Sequence, residues 1–323
     1  MRTLAIAISA LILVVTITVA AGPQATVAHP LVTKAEYDRW QKELSNWGRW
    51  GKDDEMGTLN LVTPAKRKQA AALVKDGISV SLASNAATEK GIDVPCPVEW
   101  AMLIANQSSA MDRIGYPCIH GAGTTHLDSF AHVFFDGKMW NGYPVAGVVT
   151  MDHGAGKSGI VTRGVLYDIP KLKGVDYLEL GTRIFPEDLE AWEKKAGVKA
   201  GAGDALLLRW GRWTRRARLG PWPINEGMAG LDNSVIPWLK KRDIAILGWE
   251  TPDYAPHPAG DLPPSSVHNF ALTILGIHLL DRADFDAVSE AAAARNRWEF
   301  MLTIAPLPIP RGTGSPVNPI AMF

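Results

Sequence analysis

Three imidazoles and one carboxylate fall within the thirteen residues His120-Gly-Ala-Gly-Thr-Thr-His126-Leu-Asp128-Ser-Phe-Ala-His132, in a chain that has only eight histidines. His126 and Asp128 are two apart, so an extended strand points both to one face. His132 returns to that side only if the chain turns or begins a helix after Asp128. Gly121 and Gly123 allow the backbone of a tight turn. Imidazole nitrogens with a carboxylate oxygen suit zinc, manganese or ferrous iron. The competing reading is a capped turn beside a core histidine. Phe130, Val133 and Phe134 favour the metal, because they bury the group and unpaired buried charge is costly.

Gly123-Thr-Thr-His126-Leu-Asp128-Ser-Phe-Ala-His132 resembles the His-x-Asp-x-x-x-His signature of the metal-dependent cyclase family, which includes bacterial kynurenine formamidases and isatin hydrolases. The small formamidases carry a further His four residues before the second; here Ala122 stands in that place. The nearest upstream imidazole is His120, six before His126, a spacing that resembles the longer family members. Trp47-Gly-Arg-Trp50-Gly-Lys-Asp-Asp-Glu-Met-Gly-Thr-Leu-Asn60 and Gly312-Thr-Gly-Ser-Pro-Val-Asn-Pro319 resemble segments near the two ends of those longer members. The family also has a late His followed about a dozen residues on by Glu; His268 and Asp281 occupy those places, Asp being one methylene shorter.

The resemblance implies a single α/β domain with a mixed β-sheet and flanking helices, the swivelling β/β/α cyclase fold. It implies a divalent ion, zinc or manganese, held by His126 and Asp128 with His120 or a ligand not evident in the sequence. His132 and His268 are then second-metal ligands or acid–base groups, and Asp281 ligates or orients. The reaction implied is hydrolysis of a small amide, lactam or ester by a metal-activated water, and the implied assembly is a homo-oligomer. Two rivals share the site: a metal-dependent dehydratase or cyclase, and an exported carrier of a metal or ligand without turnover.

Residues 1–21 read as a secretory leader. Arg2 precedes an apolar run from Leu4 to Ala21, small residues end it, and Gly22-Pro23 follows. The mature domain is then 22–323, in the periplasm or outside the cell, and free of the membrane once the leader is cleaved. Without the leader the chain has 32 basic and 33 acidic residues, which gives no basis for nucleic-acid or anionic-membrane binding. The partner expected is a small-molecule substrate. Hydrophobic residues make up 47% and charged residues 20%, the balance of a folded globular protein. Cys96 and Cys118 are the only cysteines; export permits a disulfide, and two buried thiols is the other reading.

The elements that must position the site follow from pattern. Helices are expected over Lys34–Leu44, Pro64–Lys75, Pro186–Ala196, Asn233–Lys241 and Pro263–Leu275, the last with serine caps and a Gly276 stop. His268 falls in the first turn of that last helix, where the dipole disfavours protonation. Strands are expected over Ile78–Leu82, Gly159–Ile169, Asp204–Arg209, Ile244–Gly248 and Gly276–Asp281. Asp136-Gly137 marks a turn. Arg212–Arg218 reads as a solvated basic loop, Asp53 and Glu55 as a solvated acidic one, and His278 as a core histidine. The loop of Glu250, Asp253 and His257 follows a strand end, where sites gather in α/β proteins. No dinucleotide or phosphate-binding glycine motif follows a strand, and no Gly-x-Ser-x-Gly elbow is present.

Overall fold

Thirteen strands are found among the residues that the computed structural model describes, which are 29–145, 155–251, 262 and 265–323. They are β1 (Ser79–Ser81), β2 (Glu99–Ala105), β3 (Ala110–Gly115), β4 (His126–Asp128), β5 (Ile160–Asp168), β6 (Arg183–Ile184) and β7 (Ala205–Arg209). After them come β8 (Gly230–Leu231), β9 (Ile246–Trp249), β10 (His278–Asp281), β11 (Glu299–Ile304), β12 (Gly314–Pro316) and β13 (Ile320–Met322). The expected leader, and Asp253 and His257, lie outside the described residues.

Nine strands form one sheet in the order β1-β13-β11-β5-β7-β9-β10-β4-β12. Its centre, β5-β7-β9-β10, is parallel. Ala205–Arg209 and Ile246–Trp249 are buried along their whole length, as strands covered by helices on both faces must be. Both flanks are antiparallel: β11, β13 and β1 on one side, β4 and β12 on the other. Leu31–Phe323 makes one unit, so the expected mixed α/β domain is what the chain forms. No helix of the described residues is long and apolar enough to cross a membrane.

The Pro186–Ala196 helix has the expected bounds, and Gly197 ends it in the left-handed region. Lys34–Glu43 begins at a Thr33–Glu36 capping box. Three expectations need correction. The Pro64 helix ends at Ala71, short of Lys75, because the Asp76 and Gly77 amides turn to donate to the carbonyl of Phe323. Arg212–Leu219 is a helix, since Glu250 Oε2 accepts from the amides of Trp210, Gly211 and Arg212 at 2.8, 2.7 and 3.1 Å and caps its start. The last expected helix is α-helical only over Ser266–Phe270 and passes into a π-turn over Ala271–Leu275. Ser265 sits at its start with positive φ and no side-chain cap. Gly276 does stop it: φ is +65°, and a Cβ there would lie 2.6 Å from the buried Trp140 ring.

One element stands apart. β2 and β3 pair only with each other, and Cys96 and Cys118 form a disulfide at their base. Trp100, Met102, Leu103, Ile104, Met111 and Ile114 on this hairpin are each half or more exposed.

Candidate metal centre

β4 is three residues long and lies between β10 and β12. His126 pairs with Asp281 on one side and Pro316 on the other, and Asp128 sits opposite Gly314. Leu127 between them is fully buried in the apolar core. The strand period therefore delivers His126 and Asp128 to a common face. The chain turns after Asp128, where the His132 amide donates to the Ser129 carbonyl at 3.2 Å, and this returns His132 to the site.

Asp128 is wholly buried and is the centre of the group. Its Oδ1 lies 2.7 Å from His120 Nδ1 and 3.5 Å from His126 Nε2. Its Oδ2 lies 3.1 Å from His268 Nε2, which is also 3.5 Å from Asp281 Oδ2. The His132 ring stacks on His120 at 3.4 Å between centroids and meets His268 edge-on at 5.6 Å. All six residues marked by the sequence, His120, His126, Asp128, His132, His268 and Asp281, thus converge. His120 is brought in despite its unusual spacing, whereas Ala122 lines a different cavity.

Other residues fix the orientations. His126 Nδ1 donates to the Thr124 carbonyl at 3.0 Å, which leaves Nε2 with its lone pair toward Asp128. Thr313 Oγ1 lies 2.8 Å from His120 Nε2. A side chain at Gly314 would strike His120 Cε1 at 2.8 Å, so the close approach of β12 requires glycine. The Trp249 indole donates to Asp281 Oδ1. Sequence reasoning missed Thr313, Gly314 and Trp249. The first two lie in the carboxyl-terminal segment that resembles the longer cyclases, and Trp249 carries no local signal.

Electrostatics separates the imidazoles. Burial pushes the Asp128 carboxyl toward protonation, but hydrogen bonds from His120 and His268 outweigh it and hold the pKa well below the usual carboxylate range. Burial opposes charge on His268 too, yet Asp128 and Asp281 hold its pKa well above the ordinary imidazole value. This corrects the expectation from the helix dipole: two carboxylates at contact outweigh the end of a five-residue helix. His132 goes the other way, pushed down to about 4 by burial against the attraction of Asp128. His278 is the satisfied core histidine expected: Nδ1 donates to the Asp128 carbonyl at 2.8 Å, the ring stacks on Phe130, and burial lowers the pKa to about 4.

The donor set fits a divalent ion. Two triads, His120–His126–Asp128 and Asp128–His132–His268, have ligand atoms within 4.8 Å of one another and share Asp128. Ligands about 2.1 Å from a tetrahedral zinc stand roughly 3.4 Å apart, so small shifts close either triad. Among the described residues, no lysine or arginine pairs Asp128; its partners are imidazoles.

The Cyclase family model matches residues 61–256, which include His120 to His132 but stop before His268. A kynurenine formamidase from Geobacillus thermodenitrificans is 30% identical over 113 residues, 35% of this chain and 46% of that relative, so the match spans about half the relative's length. A crystal structure described as a novel cyclase superposes with a TM-score of 0.74 at 28% identity, covering 88% of this chain and 99% of the other. Isatin hydrolase A from Labrenzia aggregata, solved with benzyl benzoate, superposes at 0.56 with 20% identity over 78% of this chain and 94% of its own. At that identity the likeness is one of fold.

Proposed function

The chain belongs to the cyclase family, and from that premise we propose that it is an exported, metal-dependent hydrolase of a small amide, lactam or ester. The observation that carries this reading is a carboxylate fully buried among imidazoles, Oδ1 near His120 and His126 and Oδ2 near His268, and shared by two candidate triads. His126, Asp128 and His120 would hold a zinc or manganese ion. When bound, such an ion polarises a carbonyl and lowers the pKa of water toward ~7. His268 Nε2, between Asp128 Oδ2 and Asp281 Oδ2, holds a proton where a departing amine needs one, and proton transfer of this kind is worth about 10²–10⁴ in rate. Asp128, His132 and His268 would alternatively hold a second ion. Asp281, held by the Trp249 indole, positions His268 in either case.

A small aryl substrate is supported by a cavity of about 290 Å³ lined by Tyr37, Phe134, Phe135, Asn269 and Thr273. Asn269 Oδ1 touches His268 Nδ1 at 3.3 Å, so this cavity adjoins the acid. The exposed apolar hairpin of β2 and β3 supports a homo-oligomer, since apolar patches of this kind mark association surfaces. The Cys96–Cys118 disulfide supports export to the periplasm or beyond. Free thiols in exported, denatured protein would remove that support.

The test is metal content together with turnover on a panel of arylformamides, lactams and esters. The hydrolase reading expects one or two divalent ions per chain, turnover of at least one substrate class and solvent ¹⁸O in the product. Product formed without ¹⁸O from solvent points to a dehydratase or cyclase. Bound metal without turnover of any class points to a carrier.

A further inference from the structure

A second cavity, of about 340 Å³, is lined by Ser84, Ala87, Ala122, Trp213, Arg216 and Arg282 among others, and by none of the six residues of the metal centre. It is nevertheless tied to that centre. Thr125 precedes His126 and Arg282 follows Asp281. Thr125 Oγ1 donates to the Arg282 carbonyl at 2.7 Å, and the Ser84 amide donates to Thr125 Oγ1 at 2.9 Å.

The charge around this cavity does not balance. Arg282 is 5% exposed, its Nε has no hydrogen-bond partner, and among the described residues no acceptor meets the rest of its guanidinium. The Trp213 ring lies 5.2 Å from the guanidinium carbon. Arg212 and Arg216 stand beside it; Asp93 attracts all three guanidiniums but hydrogen-bonds only to those two. Asp93 accepts from Arg216 Nε at 2.6 Å and Nη2 at 3.2 Å, and from Arg212 Nη2 at 3.4 Å. Glu250, the next acid near Arg212, gives Oε2 to three backbone amides, and its buried Oε1 has no hydrogen-bond partner. Asp284 also lines the cavity, accepts the Asp286 amide at 3.0 Å and has its pKa raised by burial. Three guanidiniums therefore share Asp93, Glu250 and Asp284, and among the described residues Arg282 is the one with no hydrogen-bonded carboxylate. A guanidinium keeps its charge at neutral pH. A buried cation without a partner is costly unless something pairs with it. Arg282 moreover adopts a φ of +60°, uncommon for a side chain of its size.

We propose that this cavity binds a small organic carboxylate, its carboxylate paired with Arg282 and its apolar body against Trp213, Ala87 and Ala122. A guanidinium fork matches a carboxylate in two parallel hydrogen bonds. The apolar part of the wall, with Ala86 and Val94, and a volume far beyond that of a bare carboxylate favour an organic ion over an inorganic one.

Benzoate is the probe, titrated calorimetrically into the metal-loaded protein. Saturable binding is expected, weakened roughly tenfold or more in Arg282→Gln, as for loss of a charged hydrogen-bonded partner. His126→Ala should leave it unchanged, because that variant disturbs only a carboxylate sitting on the metal centre. Ala87→Leu keeps every charge, narrows the cavity and should weaken benzoate at least fivefold; it serves as the readout if Arg282→Gln does not fold. Absence of saturable binding at millimolar benzoate overturns the proposal. So does binding lost in His126→Ala and kept in both cavity variants. Sulfate or phosphate binding as tightly as benzoate overturns the organic assignment.

Discussion

His268 and His278 are ten residues apart, both are buried, and both touch Asp128. His268 Nε2 meets the carboxylate of Asp128, and Asp281 stands on its other side. His278 Nδ1 meets the backbone carbonyl of Asp128 and turns its ring to Phe130. Burial disfavours charge on each. For His268 the two carboxylates reverse the outcome; for His278 a neutral carbonyl does not. Burial alone leaves a histidine neutral in the core, whereas two carboxylates at contact keep a proton on the ring.

The largest expected break in this comparison is in turnover. His268→Gln should lower kcat by about 10²–10⁴, the usual worth of a placed proton donor. His278→Asn keeps a donor for the Asp128 carbonyl and should leave kcat within about threefold. Parallel steady-state kinetics of the two variants decides the matter, and similar losses in both would collapse the distinction.

A smaller effect sharpens the His278 side. Its folded pKa of about 4 lies below the unfolded value of 6.5, so the unfolded chain takes up the proton first as pH falls. The stability that the neutral ring secures is fully present above 6.5 and is lost as pH drops from 6.5 toward 4. The shift corresponds to about 3 kcal/mol. Denaturant titrations across that window should show a shallower decline in His278→Asn than in the wild type; equal slopes would mean that the ring titrates normally.

The smallest effect concerns Asp281. Trp249→Phe removes the indole donor to Asp281 Oδ1 and keeps the packing. One hydrogen bond is worth about 1 kcal/mol, so a fall in kcat of about fivefold is expected. A KM change with kcat intact would place Trp249 in substrate binding instead.

Much of this was legible in the chain itself. The spacing of His126 and Asp128 is a strand period, Ile160–Asp168 opens on strand alternation, and Ala205–Leu208 is an apolar run of a buried strand. Asp136 and Gly137 take the positive φ values of the turn their types announce. What stayed hidden depends on partners far along the chain. Arg212–Leu219 becomes a helix because Glu250, nearly forty residues on, caps it. Thr313 orients His120 across 193 residues of sequence, and no local pattern carries that. His268 was placed correctly, but its charge preference was set by Asp128 and Asp281, which a helix-end argument does not see.

The central claim is that Asp128 organises a divalent-metal site. Its most direct test is the metal content of purified wild-type and Asp128→Asn protein after equilibration with zinc or manganese. Asparagine keeps the shape and removes the charge. At least one ion per wild-type chain is expected, with a loss of affinity in the variant of about 100-fold or more, beyond what removal of an outer partner of a ligand costs. Equal metal content and affinity in the two proteins would contradict it.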